Sequence, residues 1–412
     1  MLADLHLHFH GCVPPRALLD HLARGETVLW DWYESGMEAA YGTVPPTREV
    51  VARHRAGDAT AAAAFEELFV FGDADAGTFD RFQAKANLLW AASPSPLPEY
   101  AAAIRAAHRA QGVGHAEYRI AADMFAPLHQ GGLERFAVTL DRSDPWREWA
   151  RVREIALGPH GHALTGIDFC GVEEGHPPKE LAAFLAAVHD FNAAHPDRAL
   201  ALLVHVGESF GDKSLESAVR WVQDAAELGA HRLGHAIALG VDPARFGPHT
   251  RAEPVTERRD QIAYDLRHRD GLRARGVPVD PASLREERAR LARLPDTASV
   301  TVGYDAARLD EIRRRQRFAI DRIKATGAVI EVCPTSNRRI GGIDDPAHHP
   351  VHRFLAEDVP FVVASDDPGI FGVTLRDELD WVVRQTGGGA DLRRHLIEAA
   401  AAARSENLTG RV

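Results

Sequence analysis

Eight short apolar runs, most of them followed by a helix-spaced pattern, organise this sequence. They span residues 2–8, 115–121, 135–140, 163–169, 199–205, 232–235, 328–333 and 361–365. Helical spacing follows in 15–24, where Ala17, Leu18, Leu22 and Ala23 share one side, and in 179–195, 215–228 and 309–326. Strands alternating with helices of this length indicate right-handed βα units and a parallel sheet. Eight units predict an α/β chain closed as a (β/α)8 TIM-type barrel, with a long insertion after the sixth strand. In such a barrel the strand C-termini converge on one face, so residues far apart in sequence meet around one point.

Four of the runs end in side chains that bind metals or move protons. These are Asp4-Leu5-His6-Leu7-His8, Val204-His205-Val206-Gly207-Glu208, Leu233-Gly234-His235 and Ala364-Ser365-Asp366-Asp367-Pro368. Alternate side chains of a strand point the same way, so His6 and His8 share a face opposite Leu5 and Leu7. A buried histidine such as His205 needs a partner. Asp366 and Asp367 are adjacent carboxylates after a buried strand, costly unless a cation or donors receive them. Three imidazoles and one carboxylate (His6, His8, His205 and Asp366) suit one zinc ion, with iron, cobalt and manganese as alternatives. Glu208, past the turn-forming Gly207, is a candidate proton donor to a ring nitrogen. His235 is a candidate base toward an attacking water, because imidazole titrates near neutral pH.

The chain has 412 residues, enough for one large barrel with insertions. We expect a single domain over 1–412, with an extra helical segment at 25–77 and a charged insertion at 241–307. The insertion interleaves both charge signs, which predicts a solvated excursion over the barrel rim. A net charge of −11 argues against a nucleic-acid surface. No apolar stretch is long enough to span a membrane, and no secretory signal is visible. Three scattered cysteines, Cys12, Cys170 and Cys333, point to a reducing compartment, with the cytoplasm as the expected location. A homo-oligomer is left open.

The ordered motifs resemble those of the adenosine deaminase family, among the metal-dependent amidohydrolases. They are His6-Leu-His8 followed by Gly11, Val204-His-Val-Gly-Glu208, Arg232-Leu-Gly-His235, Glu331-Val-Cys-Pro-Thr-Ser-Asn337 and Ser365-Asp-Asp-Pro368. Segments 25–77 and 241–307 do not resemble the compact members. The resemblance implies zinc-dependent hydrolytic deamination of an aminopurine nucleoside or related purine, a place in purine metabolism and a small-molecule substrate. It implies His6, His8, His205 and Asp366 as zinc ligands, Glu208 as donor to purine N1, and His235 as the residue that orients and deprotonates water. It further implies Asp367 at N7, the backbone N–H of Gly171 at N3, and Phe79 and Phe82 on a helix over the pocket. Plain helix packing is the competing role for the two phenylalanines.

One position departs from the pattern. The family has an acidic residue two places after the second metal histidine, where it meets the sugar. This chain has His10. An imidazole there predicts weak activity on plain adenosine and better activity on a purine carrying another substituent, such as a phosphate or a modified sugar. Two other readings compete with deamination. One is a metal-dependent amidohydrolase acting on a different C–N or ester bond. The other is a catalytically silent binding protein on the same barrel.

Overall fold

The computed structural model describes residues 1–25, 27–92 and 94–411. Its strands are β1 Leu2–His8, β2 Val113–Ile120, β3 Phe136–Thr139, β4 Leu164–Phe169, β5 Ala201–Val206, β6 Arg232–His235, β7 His249–Pro254, β8 Ser299–Tyr304, β9 Val329–Val332 and β10 Phe361–Val363. Eight of them form one parallel sheet in the order β1-β2-β3-β4-β5-β6-β9-β10. The sheet closes on itself through Asp366. The His8 amide donates to the Asp366 carbonyl at 3.1 Å, and the Asp366 amide donates to the His6 carbonyl at 2.9 Å. The architecture is therefore the (β/α)8 barrel expected, with the insertion after its sixth strand. Among the described residues, no helix is long and apolar enough to cross a membrane.

Alternation along β1 sorts its residues as the sequence pattern requires. Ala3 and Leu5 pack with Val362, Ala400 and Ala403 on the helix side of the wall. Asp4 and His6 are buried on the other side, and the Asp4 carboxylate accepts from the Ser365 hydroxyl. The barrel interior contains a layer of charge. Arg119 on β2 donates to Asp168 on β4 at 2.7 Å and to Glu331 on β9 at 2.6 Å. Arg232 on β6 donates to Glu117 on β2 at 2.6 Å. All five are essentially without solvent contact. Ser405 donates its amide and hydroxyl to Glu117, so the C-terminal segment closes the barrel floor.

Segment 25–77 contains the helices Trp30–Tyr41, Thr47–Arg55 and Ala61–Phe69. Tyr33, Met37, Val50, Val51, Phe65 and Phe69 join the main hydrophobic core. The insertion 241–307 lies outside the eight-stranded sheet and contains the antiparallel pair β7–β8, between which run the helices Val255–Arg267, Arg269–Ala274 and Pro281–Leu291. β7 carries few apolar residues and is largely exposed, whereas β8 alternates Val300, Val302 and Tyr304 with exposed residues over only six positions.

The insertion is not solvated on every side, contrary to the expectation from its charge. Its inner face meets the barrel helices Leu215–Glu227 and Ala306–Thr326 through buried ion pairs. Arg315 grips the Asp265 carboxylate with two bonds, at 2.6 and 2.9 Å, and also meets Glu311 and Glu216. Glu257 accepts from Arg220 and, at 3.1 Å, from the Trp221 indole. Opposite charges that are interleaved in sequence here neutralise one another across an interface instead of facing water.

Candidate active site

The C-terminal ends of the barrel strands gather the predicted side chains. Imidazole ring centres lie 5.4 Å apart for His6 and His8, 4.5 Å for His6 and His205, and 4.9 Å for His6 and His235. Asp366 Oδ1 lies 3.4 Å from His6 Nε2 and 3.3 Å from His8 Nε2. Three sets of potential ligand atoms result here, each within 4.8 Å: His6, His8 and Asp366; His6, His205 and His235; and His235, Cys333 and Asp366. The four expected ligands are thus divided between the first two sets, which share His6. The Nε2 atoms of His6 and His205 are buried without a hydrogen-bond partner. Unpartnered imidazole nitrogens beside a carboxylate fit a divalent cation, and the nitrogen and oxygen donors match the choices of zinc.

The other nitrogen of each imidazole explains why the rings sit as they do. His6 Nδ1 bonds Glu331 at 2.6 Å, His205 Nδ1 bonds Asp168 at 3.1 Å, and His235 Nδ1 bonds Asn337 Oδ1 at 2.9 Å. Such outer partners set the tautomer and aim the free nitrogen. Burial alone would raise the Glu331 carboxyl, but the Arg119 and Arg232 guanidiniums outweigh it and hold the group well below the carboxylate range. Asp168 is held low by His205 and Arg119 against the same burial. Burial lowers His205 to about 4 and His8 to about 3, which leaves both rings neutral, the form that ligates. The sequence reading assigned no role to Asp168, Glu331 or Asn337. A single carboxylate inside each of the apolar strands β4 and β9 was the available signal.

Two of the chemical residues carry a backbone conformation that costs energy. His235 has φ 61° and Asp366 φ 62°. Non-glycine residues in this region cost on the order of 1–3 kcal/mol and persist where surroundings over-determine them. Space is also made for the cluster by glycines. A Cβ on Gly234 would come within 3.2 Å of both His205 and His6, and one on Gly11 would overlap the Asp367 carboxylate at 1.6 Å.

Beside the cluster lies a cavity of about 440 Å³. Glu208, His235 and Asp367 line one side, with Glu208 Oε2 3.6 Å from His235 Nε2. Burial raises the Glu208 carboxyl, His235 opposes this, and Asp366 and Glu173 reinforce it. Burial and the neighbouring Asp366 charge push Asp367 well above the usual carboxylate range. Gly171 also lines the cavity, at φ 87°, and a Cβ there would touch nothing within 4 Å, so its requirement is conformational. Phe79 and Phe82, on the helix Phe79–Ala86, both line the cavity. Phe79 is half-exposed, and Phe82 is buried and stacked on Phe371 at 5.4 Å. Cys333 sits near His235 and Asp366, but burial pushes its thiol far up and away from the thiolate that ligates metals.

His10 lines the cavity as well, between Phe9 at 5.2 Å and Trp90 at 5.4 Å. Burial lowers its pKa to about 4, so the ring is neutral at pH 7 and offers no positive charge to a phosphate. Among the described residues, Arg119 is the only lysine or arginine lining the cavity, and Asp168 and Glu331 already neutralise it.

A parallel barrel with histidines and carboxylates at its strand ends is the architecture of the metal-dependent amidohydrolases. Residues 304–407 match the family model described as adenosine deaminase. Among curated proteins, it is 37% identical over 264 residues to an aminodeoxyfutalosine deaminase of Streptomyces coelicolor, across 62% of this chain and 60% of that one. The chain therefore spans less than two thirds of that relative's length. Among solved structures, an adenine deaminase from Arthrobacter aurescens shares the fold with a TM-score of 0.57 and 14% identity, over 100% of this chain and 97% of the other. A cog1816 amidohydrolase from Burkholderia ambifaria, described with bound Zn, has a TM-score of 0.54 and 15% identity, over 98% of this chain and 85% of the other.

Proposed function

We propose that this chain is a metal-dependent hydrolase that replaces the ring amino group of a 6-aminopurine nucleoside or related purine with oxygen, releasing ammonia. The carrying observation is the pair Glu208 and His235, 3.6 Å apart at one wall of a cavity that opens beside the imidazole cluster. His6, His8, His205 and Asp366 would hold one divalent cation, zinc being the first choice. When bound, such a cation makes water acidic enough to supply hydroxide near neutral pH. His235 orients the water and takes its proton. Glu208, whose carboxyl is raised by burial, gives a proton to the ring nitrogen next to the attacked carbon. The water oxygen bonds to that carbon; the amino nitrogen takes the proton held on His235, the carbon–nitrogen bond breaks to release ammonia, and the proton remaining on the new oxygen passes to Glu208 as the carbonyl forms. Asp367, its carboxyl raised by burial and by Asp366, donates to the second ring nitrogen, and the Gly171 amide meets the opposite edge. Phe79 and Phe82 cover the ring and exclude water.

The sugar end of the cavity favours an uncharged substituent over a phosphate, because a neutral His10 packed beside Trp90 replaces the acidic residue of the family pattern. The 37% identity to an aminodeoxyfutalosine deaminase supports aminodeoxyfutalosine as a substrate to test. The test is ammonia release and ultraviolet change with adenine, adenosine, AMP and aminodeoxyfutalosine. We expect turnover of at least one uncharged nucleoside and a kcat/KM for AMP below that for adenosine. Absence of ammonia from all four contradicts the reaction, and preference for AMP contradicts the assignment of the sugar end.

A further inference from the structure

The carboxyl group of Glu208 makes no hydrogen bond among the described residues; its nearest polar partner is His235 at 3.6 Å. Something other than the side chain must therefore hold this residue in place. Its backbone lies in a carboxylate clamp. Glu173, buried in the loop after β4, accepts from the Gly207 amide at 2.9 Å with one oxygen, and from the Glu208 and Ser209 amides at 3.2 Å each with the other. Successive amides converging on one anion form a strong, directional site. Gly207 makes the convergence possible, since its φ is 70° and a Cβ would lie 2.5 Å from Val222.

The clamp is laced from both sides. Lys213, itself buried, lies 3.7 Å from Glu173, bonds Asp212 at 2.6 Å and sits 4.1 Å over the Trp221 ring. Asp212 in turn accepts from the Gly175 amide at 2.8 Å, and Glu174 accepts from the Ser209 hydroxyl. The loop after β4, which carries Gly171, and the loop after β5, which carries Glu208, are thus joined as one unit.

We propose that Glu173 is a positioning residue for the reaction: its carboxylate fixes the Gly207–Glu208–Ser209 backbone and so sets where the Glu208 carboxyl meets the substrate ring. This rests on the role given to Glu208 above. In Glu173→Gln, one oxygen is replaced by an NH2 group that faces the Glu208 or Gly207 amides as donor against donor. Displacements of about 1 Å at such distances cost on the order of 10²-fold in rate.

The experiment combines kinetics, metal analysis and hydrogen exchange on the full chain, using the panel compound turned over fastest. In Glu173→Gln we expect kcat to fall ~10²-fold with KM nearly unchanged and with metal content retained. The amides of 207–209 should exchange at least ~10-fold faster while those of β5 stay protected. Glu173→Asp keeps the charge but draws it back by one methylene; it should show the same pattern more weakly, and it serves if Glu173→Gln does not fold. Unchanged kcat alongside faster local exchange overturns the proposal. So does a loss of kcat that merely tracks loss of metal or of folded protein. Glu208→Gln is the control. If that variant keeps its rate, the role of Glu208 fails, and exchange at 207–209 still shows whether the clamp exists.

Discussion

Two networks of buried charge run through this molecule, one inside the barrel and one between its wall and the insertion. The inner network joins Glu117, Arg119, Asp168, Arg232 and Glu331, and it ends on His6 and His205. The outer network joins Glu216, Arg220, Glu257, Asp265, Arg308, Glu311 and Arg315, and no residue of the active-site cluster takes part in it. Both satisfy charge that would be costly to leave unpaired in a dry environment. Their composition is nearly the same. What separates them is position relative to the strand ends. A carboxylate one layer below an imidazole aims a reactive nitrogen, whereas a carboxylate under an outer helix holds two surfaces together.

The comparison is broken most severely through Glu331→Gln. The variant removes the charge that orients His6 and that balances Arg119 and Arg232. We expect metal affinity or turnover to fall on the order of 10–100-fold, read by competition with a chelator and by initial rates. Wild-type values for both would place the inner network with the outer one. Arg315→Met is the counterpart on the outside. It leaves Glu216, Asp265 and Glu311 short of a buried cation, so stability measured by urea unfolding should drop by about 3–5 kcal/mol. Turnover of the remaining folded enzyme should stay close to wild type. A large change in KM or kcat under folding conditions would show that the outer network reaches the site.

The smallest effect on turnover is expected at Glu378, which lies at the margin of the inner region. Its carboxylate accepts from the Thr335 amide at 3.2 Å, on the short helix Pro334–Arg339 that also carries Asn337. Burial raises its pKa from 4.5 to about 8. The folded state therefore retains a proton that the unfolded state releases above 4.5. Stability from this group is full below pH 4.5, declines as pH rises, and is lost once pH passes about 8. Glu378→Gln should flatten the pH dependence of unfolding across that window and leave the rate at pH 7 unchanged. An equal slope in both proteins would mean that the group titrates normally.

The parts of the site that lie along one strand were legible in sequence. His6 and His8 alternate with Leu5 and Leu7, and that period alone places both imidazoles on the same face. His205, His235 and Asp366 ended apolar runs, and the barrel rule brings such ends together. Asp168, Glu331 and Asn337 were not assigned, because each acts through a partner on another strand and only the closed sheet supplies the pairing. Glu173 was hidden for the same reason, in that its ligands are backbone amides with no sequence signature. The pair β7–β8 was missed because β7 carries no apolar alternation and lies more than forty residues from β8, whose own alternation of Val300, Val302 and Tyr304 is short. Charge in 241–307 suggested solvation, yet Asp265 and Glu257 are buried against Arg315 and Arg220, which stand on helices outside the segment. His10 was visible as a departure from the family pattern, but its charge state followed only from the burial around it.

The account depends most on Glu208 as the proton donor beside a metal-binding cluster. The direct measurement is a parallel determination of bound metal and of kcat for wild type and Glu208→Gln, purified without added metal. The account predicts one equivalent of divalent cation in both proteins, with kcat in the variant reduced by on the order of 10²–10⁴-fold. Metal-free wild-type protein that remains active in chelator, or a Glu208→Gln variant that turns over at the wild-type rate, would contradict it.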